Sequence, residues 1–91
     1  MNQTKRLKDP VYNKFLKAVE FELDRISTKK YEIKSLHEGY ALLLEEVDEV
    51  KDITWARASN RSLAHLDEEL AQVIAIALCI HKDIVMKKNN R

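Results

Sequence analysis

The sequence predicts an all-α protein, and three observations carry that reading. One glycine and one proline in 91 residues leave almost no turn punctuation for a meander of strands. Apolar residues recur at spacings of three and four in three separate stretches. Helix-capping residues stand just ahead of each stretch.

The first helix is expected over about 10–28. Asp9 is its N-cap, Pro10 takes the first helical position, and Phe15, Val19, Leu23 and Ile26 form its apolar stripe. "STKKYEIKS" loses the period and reads as a connection. Ser35 and Glu38 then make a Ser-x-x-Glu capping box, which starts a second helix over 36–54. Its expected core stripe is Leu36, Tyr40, Leu43, Val47 and Val50. After "ARASNRS", Ser62 or Asn60 caps a third helix over 62–86, with Asp67 to Glu69 in its early turns. Leu66, Leu70, Val73, Ala77, Ile80 and Ile84 mark one face of it. Ala71, Ile74, Ala75, Ile76, Leu78 and Cys79 make its middle apolar nearly all round. Such a helix must be buried on every side. Two partner helices from one chain are a thin cover, so the expected architecture is three helices per chain with a four-helix-bundle core completed by dimerisation. A homo-oligomer, dimer or tetramer, is expected.

The chain reads as one domain over 1–91, with 1–8 and 87–91 as frayed tails. Sixteen basic residues against fifteen acidic give a net charge of +1, which argues against a nucleic-acid binder. The apolar run from Val73 to Ile80 is far shorter than the roughly 20 residues of a membrane span. Cys79 stands alone and the N-terminus has no apolar leader, so a cytoplasmic setting is expected. Cys79 itself reads as a small packed hydrophobe, and His37, His65 and His81 form no ligand set.

The stretch with chemical interest is "HEGYALLLEEVDEV" (37–50), which crowds Glu38, Glu45, Glu46, Asp48 and Glu49 together. Glu38 is accounted for by its capping box. Glu46 and Glu49 are neighbours at i and i+3, and Glu45 and Glu49 at i and i+4. On the third helix His65, Glu68, Glu69 and Gln72 also share one side. Two facing helices can thus converge oxygen ligands suited to Mg²⁺ or Mn²⁺, and not to zinc, which favours Cys or His. A solvated acidic face is the competing account. It costs only about 0.2–0.5 kcal/mol per like-charge pair, and on spacing alone it is favoured.

The pattern Glu45-Glu46-x-x-Glu49 followed by Glu69-x-x-Gln72 resembles the MazG-like, all-α nucleoside triphosphate pyrophosphohydrolases, whose signature is Glu-Glu-x-x-Glu, a spacer, then Glu-x-x-Asp. Lys30-Tyr31, the His-Glu-Gly-Tyr of 37–40 and Glu-Glu-x-x-Glu together are similar to short phage and prophage members, over roughly residues 29–80. Gln72 departs from the signature: an amide stands where a carboxylate is expected. The resemblance implies Mg²⁺- or Mn²⁺-dependent hydrolysis of a (deoxy)nucleoside triphosphate to monophosphate and pyrophosphate. Glu46, Glu49, Glu69 and Gln72 would be the metal ligands, and Glu45 a further ligand or the base toward the attacking water. Lys51, Arg57 and Arg61 are candidates for the phosphates and Trp55 for stacking on the base. The alternative, favoured by Gln72, is a non-catalytic helical homo-oligomer, an accessory protein of prophage type.

Overall fold

The computed structural model describes residues 3–29, 32–57 and 62–87. Three α-helices carry the fold: α1 (Asn13–Thr28), α2 (Leu36–Trp55) and α3 (Leu63–Ile80). Among the described residues there is no strand. The expected tails at 1–2 and 88–91 lie outside the described residues, whereas Gln3–Lys8 forms 3-10 turns.

Each start follows from a side chain. Asp9 accepts the N–H of Val11 and Pro10 opens a 3-10 turn, Pro10–Tyr12, that runs into α1. Ser35 Oγ accepts the N–H of Glu38 at 3.1 Å. Glu38 reaches back to the N–H of Lys34 at 2.7 Å, so the capping box closes one residue further out than its standard form. Ser62 is the N-cap of α3, accepting the N–H of His65 at 3.0 Å, and Asn60 lies outside the described residues. No glycine closes a helix. α2 stops because Ala56 turns extended (φ −65°, ψ 153°).

α3 packs against both α1 and α2. Its inward line is Ala71, Ala75 and Cys79, at spacings of four, and these small side chains let the helices approach closely. α1 contributes Val19 to the core, as its stripe predicts. On α2 the expected stripe is split, with Leu43 and Val50 half-buried. Leu36, Tyr40 and Val47 are exposed, and the buried positions are Gly39 and Ile53. Gly39 has a steric reason: a Cβ there would stand 3.0 Å from Ile80 Cγ1 and 3.4 Å from Ile33 Cγ2.

Beyond Ile80 the helix continues as a π-helical turn, His81–Met86. The wider turn buries the consecutive residues Asp83 and Ile84. Ile84 joins Ile33 and Cys79 in the core at this end. Asp83 Oδ2 accepts the backbone N–H of Ile33 at 2.9 Å and ties the α1–α2 connection to the C-terminal turn. No helix among the described residues is long and apolar enough to cross a membrane.

Candidate functional site

The side of α2 that carries Gly39 and Ile53 inward also brings Glu46 and Glu49 toward α3. The cap at Ser62 sets the phase of α3, and Glu69, about two turns in, is left 5% exposed. Glu46, Glu49 and Glu69 each place an oxygen within 4.8 Å of the other two. The Gln72 amide stands against the same group. With its nitrogen inward it donates to Glu46 Oε2 (2.6 Å) and Glu69 Oε1 (3.1 Å); with its oxygen inward it adds another oxygen to the cluster.

Burial and crowding set the protonation of this group. Burial first, then the neighbouring Glu49 and Glu46, push the Glu69 carboxyl up to about 8. Glu46 is raised by burial and then by Glu49. The cluster therefore keeps a proton at neutral pH, with Glu69 the carboxyl most strongly raised. On its open side His65 Nε2 stands 3.5 Å from Glu69 Oε2, and His65, Glu68 and Glu69 form a second set with ligand atoms within 4.8 Å.

Of the residues singled out in the sequence, the fold unites Glu46, Glu49, Glu69 and Gln72. Glu45 is exposed on α2 beside this group and not among the three converging carboxylates. Lys51 and Arg57 are exposed, and Trp55 is 80% exposed at the end of α2. Arg61 lies outside the described residues.

Two clefts flank the cluster. One, of about 290 Å³, opens on the Glu49 side between Asp52, Ala56 and His65. The other, of about 160 Å³, opens on the Glu46 side, where Arg25 and Lys29 of the first helix and its C-cap face Glu46 and Gln72. Arg25 is held by the buried Glu22, whose Oε1 accepts from its Nε (2.9 Å) and Nη2 (2.8 Å). Asp52, Glu22, Arg25 and Lys29 are absent from the sequence-based candidates. A signal existed for Glu22: it falls three residues after Val19 and four before Ile26, a carboxylate inside the apolar stripe of α1.

Comparison with known proteins returned no matching family model, no matching curated protein and no matching solved structure. Fold and site thus define the chain as an all-α protein with a carboxylate cluster between two packed helices.

Proposed function

We propose that this chain is a divalent-metal-dependent nucleoside triphosphate pyrophosphohydrolase acting as a homodimer. The observation that carries the reading is the meeting of Glu46 and Glu49 from α2 with the buried Glu69 from α3, the residues on which the MazG-like resemblance rests. Holding three carboxylates together in a partly dehydrated site is unfavourable unless a proton or a cation offsets them. The donor set is carboxylate and amide oxygen, which fits Mg²⁺ or Mn²⁺. When bound, such an ion supplies charge neutralisation for the phosphates and acidifies a water.

The protein's own part is positional. Glu46 and Glu49 are held by α2 and Glu69 by α3, and these three with the amide oxygen of Gln72 would hold the ion. Glu45, exposed on α2 next to Glu46, would take a proton from an attacking water in this reading. Trp55, Lys51 and Arg57 lie toward the end of α2, where a base and sugar would leave the site.

A second copy of the chain completes the core in this reading. Leu70, Ile74 and Leu78 on α3 remain 40–45% exposed, and Leu36, Tyr40, Leu44 and Val47 on α2 are exposed as well. Among the described residues no large side chain is fully buried. The radius of gyration is 15.1 Å, against about 12 Å for a compact chain of this length. Both facts fit a half-core awaiting its partner.

One observation favours the non-catalytic alternative: with its nitrogen inward, Gln72 bridges Glu46 and Glu69 and satisfies the cluster without any metal. Incubating the full chain with a panel of (deoxy)nucleoside triphosphates and Mg²⁺ or Mn²⁺ separates the two. Metal-dependent release of pyrophosphate is expected. Its absence across the panel, with no metal-induced stabilisation, leaves the helical homo-oligomer.

A further inference from the structure

The cations singled out in the sequence follow α2, but the structure puts a different pair of positive charges against the acidic cluster. Arg25 and Lys29, four residues apart on one face of α1 and its cap, line the cleft of about 160 Å³ together with Glu46, Gln72, Leu42 and Ile76. Ligand pockets for whole small molecules run to about 300–1,000 Å³. At about 160 Å³ this cleft is smaller than that and of a size for phosphate groups.

We propose that the Arg25–Lys29 cleft receives the terminal phosphates of the substrate and retains pyrophosphate after cleavage, with Glu22 as a positioning residue; the inference rests on the triphosphate-hydrolase reading. Three features support it. Glu22 is 4% exposed, and a buried carboxylate is costly unless it is paired. Its pairing fixes the Arg25 guanidinium through Nε and Nη2 on a single oxygen, Oε1. Those bonds use two of five N–H donors, and no other described residue engages the remaining three. The fork is thereby held in orientation with donors to spare, the arrangement that suits bidentate recognition of phosphate. Arg25 also lines the same cleft as Glu46, so cation and carboxylate share one electrostatic site. Finally, polarity orders the two clefts. The Glu49 side offers Asp52 and Glu49 to an incoming group and repels phosphate. The β- and γ-phosphates, which carry most of the charge, therefore lie toward α1, and the sugar and base toward Ala56 and His65.

The test is calorimetric titration of inorganic pyrophosphate into the full chain, with and without Mg²⁺, alongside steady-state hydrolysis. Lys29→Gln alters an exposed side chain, so it leaves folding intact. Arg25→Gln alone strands the Glu22 carboxylate, so the double variant Glu22→Gln/Arg25→Gln is used, and circular dichroism checks its helix content. Each variant is expected to weaken pyrophosphate binding about tenfold or more, the loss typical of a charge-assisted hydrogen bond. KM for the triphosphate should rise by a similar factor, while the Mg²⁺-induced rise in melting temperature persists. Variants that fold and bind pyrophosphate within twofold of the wild type, or a wild type that binds none, overturn the assignment. A wild type that binds pyrophosphate through Arg25 and Lys29 but releases none from any triphosphate overturns the hydrolase reading and leaves the anion cleft standing.

Discussion

Asp83 on the C-terminal π-helical turn accepts the backbone N–H of Ile33 at 2.9 Å, joining residues fifty apart in the chain. Both partners are buried. Without the carboxylate, the Ile33 N–H would be left in an apolar pocket among Ile84, Cys79 and Ile80. Asp83→Ala is expected to cost about 1.5–3 kcal/mol, the range for a hydrogen bond to a charged group. Asp83→Asn keeps an acceptor and should cost less than half as much. Urea denaturation at fixed protein concentration measures both. Equal losses for the two variants would show that the carboxylate's charge, and not its acceptor geometry, matters here.

Gly39 is the close-approach point between α2 and the end of α3. An alanine there would gain about 1 kcal/mol of helix propensity, but its Cβ meets Ile80 Cγ1 at 3.0 Å. Ile80 can yield a little; Ile33, 3% exposed, cannot. Gly39→Ala should therefore be close to neutral, whereas Gly39→Val should destabilise by about 1–3 kcal/mol through overpacking. A Val variant as stable as the wild type in thermal melts would mean that α2 and α3 separate freely at this end.

Local chemistry was legible in the sequence and long-range geometry was not. Asp9-Pro10, Ser35-x-x-Glu38 and Ser62 announce helix starts because a cap is satisfied within four residues. On α2 the inward side holds Gly39 and the half-buried Glu46, which hydropathy discounts, beside Leu42, Leu43, Val50 and Ile53, whereas Leu36, Tyr40 and Val47 count as core and are exposed in the single chain. On α3 the sequence calls for burial on every side, and the single chain covers only part of it. Ala71, Ala75 and Cys79 face inward and Leu70, Ile74 and Leu78 do not, since helix approach selects small residues that a hydrophobicity stripe ranks last. The convergence of Glu46, Glu49 and Glu69 could be read from spacing plus resemblance. The Arg25–Lys29 wall could not, because nothing in the local sequence says that α1 ends beside Gln72.

Glu69 makes the metal-free protein pH-dependent. Its carboxyl titrates near 8 in the fold, against 4.5 as the ordinary value. Between those values the folded state holds a proton that the unfolded state has lost, so this group's contribution to stability falls as pH rises from about 4.5 to about 8 and is level above. Glu69→Gln removes the titration. In chelator, the difference in melting temperature between wild type and variant should grow in the variant's favour across that window. A difference that stays constant with pH would remove Glu69 as the most strongly raised carboxyl of the cluster.

The exposed stripe on α3 gives the oligomer its test. Ile74 is 42% exposed and belongs with Leu70 and Leu78, while Ile76 lines the cleft beside Arg25 within the chain. Ile74→Glu is thus the cleaner probe. It should convert a homodimer to monomer in light scattering at micromolar concentration, because a carboxylate at a dehydrated interface has no partner. A wild type that is monomeric under the same conditions removes the dimer from the proposal.

The metal reading has the most direct consequence, through Gln72 and Glu49. Carboxylates about 4 Å apart repel by about 1 kcal/mol in bulk water and several-fold more where water is partly excluded. A divalent ion that displaces the cluster's proton relieves that repulsion and binds only the folded chain. At a Mg²⁺ concentration 100-fold above Kd, one site contributes about 2.7 kcal/mol, or roughly 10–20 °C in Tm for a domain of this size. Glu49→Gln removes one charged ligand and should abolish both that rise and pyrophosphate release. Gln72→Asp replaces the amide by a charged oxygen ligand and should tighten Mg²⁺ binding. It should also lower stability in chelator, since a fourth carboxylate then joins the cluster and the N–H donor to Glu46 and Glu69 is lost. The opposite signs with and without metal are the discriminating result. A Gln72→Asp variant destabilised equally in Mg²⁺ and in chelator would identify the cluster as a proton-bridged acidic face, and Gln72 as its hydrogen-bonding closure.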